Sequence, residues 1–527
     1  MVQATILATA GLSARLLGFL YRIPMQNILG DDGTGVYSQA YNLYMLFFVI
    51  SSAGMPAAIS KMVSERVAHK QYNNAYKVLK TAMVVAGIIG FIGMVAMYVW
   101  ADIWADLLAS QHIAMSLRAL APAVFITAVM SVFRGYFQGL GNSIPTAVSQ
   151  VIEQMLNALF SVFLVWLLID DGISYAAAGG TAASSIGALA GFIFMWFVYH
   201  LNRSPQKWRI KKYKSIELPE PTLNIIKEMV TTAFPIVAGI AVFSITNLID
   251  MRMVTHILQD TGFSYEEALR MLGQLSGKFV VLTTLPVSVA TAISIAIIPS
   301  IAESQALNEK ALTKSKVNSA LRFAMLICIP AAVGLSVMAD QVLMFLFPDN
   351  PDGGILLQVG GISIIFLAIS QVSTGILQGM NAFRVPILSA VVGGAIKIFF
   401  NQLLISQVHL NIVGAVIATV FCYGVAAFIN LSFVQLKTQV KIDILSVFGK
   451  PVLASMVMGL VCYVVFYTFY LFYPSNTIAL GLAIISSLLT YFGVMVFLRG
   501  ITKTEMRMIP GGKIAMRYLE KMGIELE

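Results

Sequence analysis

Apolar runs of about 20 residues or more recur along nearly the whole chain, and no other feature restricts its fold as strongly. A run of that length suits a helix crossing about 30 Å of hydrocarbon. There every backbone amide must be bonded within its own segment or in a closed barrel. The ten-residue alternation that a strand barrel needs is missing from the sequence. Spans are read at 6–28, 36–60, 78–100, 114–137, 145–169, 174–200, 224–250, 273–300, 317–346, 355–379, 386–407, 411–436, 447–471 and 477–499. Only 11% of residues are charged and the mean hydropathy is +0.82. A water-covered surface would need roughly a quarter charged. The first run is long and many follow, so no cleavable leader is expected. The fold class expected is an all-α polytopic membrane protein of about 14 transmembrane helices.

The loops alternate in charge. One set holds Lys61, Arg66, Lys70, Lys77 and Lys80, then the stretch RSPQKWRIKKYK at 203–214, then Lys310, Lys314, Lys316, Lys437, Lys441, Lys450 and the tail from Arg499 to Lys521. The other set holds Asp31, Asp32, Asp102, Asp106, Asp170, Asp171, Asp260, Glu266, Glu267, Asp349 and Asp352, with Arg270 as its one base. Basic loops remain in the cytoplasm, so both termini are expected there, as an even number of spans requires. The net charge of +9 therefore orients the chain in its bilayer, and no nucleic-acid partner is inferred. The 203–214 stretch reads as an orientation signal against anionic headgroups. The tail GGKIAMRYLEKMGIELE reads as an amphipathic interfacial helix with Ile514, Leu519 and Met522 toward lipid.

The two halves match at nearly one offset. Glu65 recurs as Glu303, Lys77-Val78 as Lys316-Val317, Ala101-Asp102 as Ala339-Asp340, Gln138-Gly139 as Gln378-Gly379 and Pro145 as Pro386, all 238 to 241 residues apart. Two copies of a six-helix unit in parallel orientation are expected, the architecture of carriers whose lobes rock about a central cavity. The organisation expected is an N-lobe at 1–200 (helices 1–6), a basic cytoplasmic linker at 201–223 and a C-lobe at 224–437 (helices 7–12). Helices 13 and 14 at 438–499 and an amphipathic cytoplasmic tail at 500–527 follow.

Charges inside the spans carry the functional signal. The bases are Arg15, Arg22, Arg118, Arg134, Arg252, Lys278 and Lys397; the acids are Glu153 and Asp250. Each charge at mid-bilayer costs about 2.5–3.5 kcal/mol on insertion scales, so such residues face a cavity or a partner. Gly11, Arg15, Gly18, Arg22 and Gln26 fall on one face of the first helix. From Arg15 to Gln26 that stripe runs roughly 16 Å. It is expected to line a hydrated cavity whose excess of positive charge favours anionic cargo, since guanidinium groups grip phosphate oxygens bidentately. Arg118 and Arg134 lie near span ends, where reaching to headgroups or pairing is the simpler role. Glu153 is either a titrating carboxylate or the fixed partner of an arginine. Pro24, Pro56, Pro122, Pro286, Pro299 and Pro330 are candidate hinges. Cys328, Cys422 and Cys462 lie far apart in apolar segments and the five histidines are scattered, so neither a disulfide framework nor a metal site is expected.

RLLGFLYRIPMQNILGDDGTGVY (15–37), MPAAISKMVSE (55–65), FRGYFQGLGNSIPTAVSQVIEQ (133–154) and LQGMNAFRVP (377–386) resemble the multidrug/oligosaccharidyl-lipid/polysaccharide exporter superfamily. The closer resemblance is to its polysaccharide-export branch, which includes the stage V sporulation protein B group and the lipid II flippases. The resemblance implies a fourteen-helix, two-lobed carrier moving an undecaprenyl-diphosphate-linked sugar to the outer leaflet by alternating access. By position, Arg15 matches the first arginine of the flippase-like R-x-x-G-F pattern, implying contact with the diphosphate. The Arg-Asp pair that follows in the family is replaced here by Tyr21-Arg22. Lys278 is the nearest base to an arginine that flippases carry on helix eight. Sodium-coupled relatives use an Asp on helix seven, an Asn/Asp pair on helix eleven and a Thr on helix twelve. Asp250 and Thr419 correspond, but helix eleven offers Lys397 and Asn401 at i, i+4. An ammonium there would repel a metal ion, so Lys397 is expected to replace sodium or to make coupling proton-linked through itself or Glu153. Coupling to H+, Na+ or the membrane potential stays open, and no other cofactor is expected.

The expected cationic cavity is therefore Arg15, Arg22, Lys278, Arg252 and Gln26. Coupling or charge pairing is expected at Glu153, Asp250, Lys397, Asn401 and Thr419, and the repeated loop motif at Gln138, Gly139, Gln378 and Gly379. The expected partners are a lipid-linked sugar, the bilayer of a bacterial cytoplasmic membrane and other envelope-synthesis proteins. A multidrug cation antiporter of the same superfamily would want carboxylates and aromatics where bases predominate here. A membrane-bound enzyme would want catalytic groups in long loops; the longest outer loop, 256–272, has Asp260, Glu266 and Glu267 but no D-x-D or nucleophile pattern. A transport-inactive scaffold of envelope polysaccharide synthesis is the remaining alternative.

Overall fold

A computed structural model describes residues 2–502 apart from 109, 111, 203–219, 308 and 441, and among them every regular element is helical. The basic stretch at 203–214 and the amphipathic tail lie outside the described residues. The helices in chain order begin with α1 (Val2–Leu20), α2 (Arg22–Phe48), α3 (Met55–Ala68), α4 (Tyr72–Val99), α5 (Ala101–Leu107), α6 (Ile113–Gly139), α7 (Ile144–Leu168) and α8 (Ile173–Leu201). Next come α9 (Thr222–Asp260), α10 (Tyr265–Gly273), α11 (Val280–Ala306), α12 (Lys310–Val337), α13 (Ala339–Leu346), α14 (Gly354–Gly360) and α15 (Ser363–Gly379). The last are α16 (Arg384–Ile405), α17 (Asn411–Thr438), α18 (Lys450–Phe472) and α19 (Asn476–Phe497). Eleven described stretches are long and apolar enough to cross a bilayer, twelve if α14 and α15, bent by 52° at their junction, form one span. Helices α1 and α9 stand where spans one and seven are read.

Helix starts obey local chemistry. Proline occupies the first turn of α3, α7 and α18, where its missing N–H leaves no helical bond unmade. Ser264 and Glu267 form a reciprocal cap at the start of α10: the Ser264 hydroxyl accepts from the Glu267 amide at 3.2 Å, and the carboxylate accepts from the Ser264 amide at 2.8 Å. The segment read as an outer loop at 256–272 is therefore largely helical, because the end of α9 and all of α10 are capped as helices. GDDGTG (30–35), read as the loop between two spans, is where two helices meet within α2, with the break confined to Gly30. Gly30 takes φ +68° there, a backbone region that a side chain makes unfavourable.

The chain divides into two compact units, Met1–Gly277 with Asn401–Ile412, and Lys278–Phe400 with Val413–Glu527. In the first, one apolar cluster joins α2 to α6 through Leu43, Leu117 and Val124, and another joins α3, α4 and α6 through Ile59, Val78 and Phe133. A Cβ at Gly273 of α10 would collide with the Asp31 carbonyl, so α10 can lie directly on the GDDGTG kink. In the second unit the core joins α11, α12 and α15 through Val287, Leu321 and Val372, while α18 and α19 pack together around Met458 and Met495.

One helix crossing occurs in both units. A Cβ at Gly139 of α6 would stand 2.7 Å from Val63 and 2.8 Å from the Ser60 carbonyl of α3. A Cβ at Gly379 of α15 would stand 2.7 Å from the Ile298 carbonyl and 2.9 Å from Ile301 of α11. Gly135 and Gly375, one turn earlier, make equally close approaches to the same two helices. Membrane helices associate through such small-xxx-small seams because lipid gives apolar side chains no reason to prefer protein. The partner residues repeat at 238, within the range of offsets found in the sequence.

Candidate functional site

The i→i−4 ladder runs on through the junction of α1 and α2: the Tyr21 amide donates to Leu17 at 3.3 Å and the Met25 amide to Tyr21 at 3.1 Å. The stripe Gly11, Arg15, Gly18, Arg22, Gln26 therefore keeps its helical register. Its members meet different surroundings. Arg15 is exposed on α1. Gly18 turns toward α7, with Gln154 as its near neighbour. Arg22 is half-buried, its guanidinium carbon 5.7 Å from the centre of the Tyr41 ring. Gln26 is buried and donates its amide to Asp31 at 3.1 Å. It braces the α2 kink and does not line open space, contrary to its expected place among the cavity residues.

Around Arg22 stands an aromatic ladder that the charge pattern does not reveal. Tyr37, Tyr41, Tyr44 and Phe48 follow one another up a single face of α2, with ring centres 5.8, 5.7 and 6.1 Å apart. Tyr37 and Tyr41 are nearly parallel, at 10°. The Tyr21 and Tyr37 hydroxyls are 3.2 Å apart. Tyr37 and Tyr44 are buried, and Tyr41 keeps partial access. A guanidinium over a ring gains about 0.5–2 kcal/mol, more as water is excluded. Among the described residues no carboxylate forms an ion pair with Arg22. Its side chain is thus oriented by aromatic faces and hydroxyl dipoles while its charge stays unneutralised. Such a group offers N–H donors to an incoming anion. The signal for the ladder was the i, i+4, i+7, i+11 run of aromatics in YSQAYNLYMLFF.

Both embedded acids have partners, and so do two of the other bases. Glu153 on α7 takes a bond from Arg134 on α6 at 2.7 Å, and Arg134 also donates to Ser149 at 2.9 Å. Glu153 thus sits as the fixed partner of an arginine. Arg118 pairs with Asp102 at 2.7 Å on an exposed surface. Asn401 of α16, fully buried, donates to Asp250 of α9 at 2.6 Å. Lys397 precedes Asn401 by one turn on α16 and is also buried. Arg252 is exposed.

One expected site residue lies elsewhere, and another bonds within its own helix. Lys278 was read as a cavity cation, but it is 1% exposed, donates to the Asn350 and Asp352 carbonyls at 2.6 and 2.9 Å and lies 5.7 Å from the Phe347 ring. A buried ammonium must be hydrogen-bonded, and two carbonyls of the 347–352 turn meet that need. Thr419 bonds back to the Ala415 carbonyl within its own helix at 2.8 Å. Gln138 and Gln378 are half-buried beside Gly139 and Gly379, whose role is the close helix crossing.

Among the described residues, an all-helical membrane body in which a half-buried arginine has no acid partner defines a class: a multi-pass protein of the cytoplasmic membrane built like a small-molecule or lipid carrier. Residues 2–305 match the family described as polysaccharide biosynthesis protein, and the chain belongs to that family and to the multidrug/oligosaccharidyl-lipid/polysaccharide exporter superfamily. It is 29% identical over 466 residues to the lipid II flippase MurJ of Bacillus subtilis (strain 168), covering 83% of this chain and 82% of that protein. Its fold is similar to a solved lipid II flippase MurJ in an inward closed conformation, with TM-score 0.70 and 16% identity over 94% of this chain and 99% of the other. It is also similar to an inward-facing multidrug resistance MATE family transporter, with TM-score 0.66 and 14% identity over 81% and 94%.

Proposed function

We propose that the protein is a flippase that carries an anionic lipid-linked sugar, its diphosphate attached to a polyprenyl chain, across the cytoplasmic membrane for envelope polysaccharide assembly. The observation that carries this reading is Arg22, a membrane-embedded guanidinium held over Tyr41 with no carboxylate to neutralise it among the described residues. A diphosphate would supply the missing charge. Tyr21 also walls an apolar groove of about 590 Å³ between the α1–α2 junction and α7, faced by Leu17, Ile28, Leu159 and Phe163. Hydrocarbon beside a cation suits an amphiphile better than a free sugar phosphate. A lipid II flippase among the relatives and a multidrug transporter among the solved structures support a carrier in preference to an enzyme or scaffold. Fourteen spans with both termini in the cytoplasm complete the proposed arrangement. Lys397, one turn from the Asn401–Asp250 pair, takes the place of a sodium ion in coupling.

The test is reconstitution into vesicles with a fluorescent polyprenyl-diphosphate sugar and a membrane-impermeant quencher. Wild type should move the lipid between leaflets and Arg22→Ala should not, at equal protein incorporation. Equal flipping by both would remove the basis for the reading, and strict dependence on sodium would remove the role given to Lys397. The second reading, a multidrug cation antiporter, is favoured by the Asp250 carboxylate and by the MATE neighbour's fold. It predicts proton- or sodium-driven efflux of organic cations that requires Asp250 and tolerates loss of Arg22.

A further inference from the structure

A second buried arginine, Arg66, behaves unlike Arg22. It lies at the end of α3, 7% exposed, with four of its five N–H donors bonded. Nε and Nη2 donate to one Glu220 oxygen at 3.0 and 2.7 Å, Nη2 also donates to Glu228 at 2.7 Å, and Nη1 donates to the Met62 carbonyl at 2.9 Å. Lys77 of α4 donates to the Glu220 carbonyl, and the Glu220 amide donates to the Asn74 side chain at 3.4 Å. One guanidinium thus meets two carboxylates, and three side chains of α3 and α4 converge on Glu220, two residues before α9. The guanidinium is buried while both carboxylates stay partly exposed, so removing Arg66 should cost more than neutralising either acid.

The internal repeat shows what this cluster adds. At the 238–239 offset, Arg66 corresponds to Ser304, Asn74 to Thr313, Lys77 to Lys316 and Met62 to Ser300. In the second copy these residues satisfy each other locally: Thr313 donates to Ser304 at 3.1 Å, and Lys316 donates to the Ser300 carbonyl at 2.8 Å. In the first copy Arg66 takes the corresponding Met62 carbonyl, which frees Lys77 to reach Glu220. The same positions that close one copy on itself are used in the other to grasp the incoming chain of the next copy.

We propose that Arg66, Glu220 and Glu228 form an ionic latch that holds the basic-loop ends of spans two and seven together, and that this latch must open for the carrier to admit cargo from the cytoplasm. This rests on reading the chain as an alternating-access carrier with its basic loops in the cytoplasm. It does not depend on which cargo is carried. Neutralising one carboxylate removes a charge-assisted bond and should shift the closed-to-open equilibrium about tenfold, one decade being about 1.4 kcal/mol.

The test uses full-length protein with Cys328, Cys422 and Cys462 replaced by alanine and a single reporter, Gly18→Cys, where a Cβ meets only Gln154 at 3.8 Å. Labelling by a membrane-impermeant maleimide is timed in inside-out and right-side-out vesicles. Glu228→Gln, which removes one half-exposed carboxylate and should fold normally, is expected to speed labelling from the cytoplasmic face about tenfold and slow it from the outer face; Arg66→Gln should do so more strongly. Unchanged labelling from both faces in Glu228→Gln and Arg66→Gln, with or without a lower melting temperature, would show a static tie and overturn the latch. Failure of the flippase reading looks different: the accessibility shift would persist while no lipid-linked sugar is moved.

Discussion

Arg22→Gln and Arg134→Gln remove the same charge from the same unit, yet their effects should be opposite. Arg22 has no acid partner among the described residues, so its embedded charge costs about 2.5–3.5 kcal/mol against a return of about 0.5–2 kcal/mol from the Tyr41 ring. Its removal should leave stability unchanged or raise it by about 1–2 kcal/mol. Arg134 neutralises Glu153 where both side chains are less than a fifth exposed. Taking it away strands a carboxylate, at about 3–5 kcal/mol for a fully buried pair and toward the lower end here. Function should invert the order. Losing one charge-assisted contact to a diphosphate is worth about 1.5–3 kcal/mol, or roughly 10- to 150-fold in affinity. Thermal unfolding of the two purified variants in one detergent, beside binding of a short-chain polyprenyl diphosphate, measures both effects. The reasoning fails if Arg22→Gln melts as low as Arg134→Gln while binding the diphosphate like wild type, because Arg22 would then be a structural residue.

Three further outcomes follow from the geometry. Lys278→Met should lower stability by about 2–4 kcal/mol by leaving the Asn350 and Asp352 carbonyls without their donor, yet leave diphosphate affinity within twofold; a selective loss of affinity would return Lys278 to the binding site. Gly139→Val and Gly379→Val should each disrupt folding, seen as loss of monodisperse protein on size-exclusion chromatography, since a Cβ already meets the facing helix below 3 Å; normal yield from either would contradict the tight crossing. Tyr37→Phe should cost about 0.5–1.5 kcal/mol of stability through the lost Tyr21 bond and weaken diphosphate binding less than Arg22→Gln does, and an equal loss in both would assign the tyrosines a direct role.

The helical, membrane-spanning nature of the chain was legible because hydrophobic length is written directly in the residues. One recurring helix crossing was legible too, since Gly139 and Gly379 stand in matching sequence motifs and make the same close approach. Partners far apart in sequence were not. Nothing in the spacing of Lys278 announces that its ammonium meets carbonyls 72 and 74 residues on, so a buried base looked like a cavity base. Gln26 shared the arginine stripe by periodicity, but helical register fixes a face and not what lies against it. The kink at Gly30 hid for a related reason: GDDGTG has loop chemistry, yet the break is confined to Gly30, and Gly35 and Gly273 let α2 and α10 pack closely just beyond it. The tyrosine ladder, by contrast, is legible in the spacing of Tyr37, Tyr41, Tyr44 and Phe48 alone.

The account turns on a lipid-linked anion leaving the inner leaflet through this protein. The most direct measurement is the leaflet distribution of diphosphate-linked sugars in cells depleted of it, read with an impermeant probe on intact and inverted membranes. Accumulation of one such lipid in the inner leaflet, reversed by wild type and not by Arg22→Ala at equal expression, is the predicted result. An unchanged lipid distribution together with reduced efflux of organic cations would contradict it.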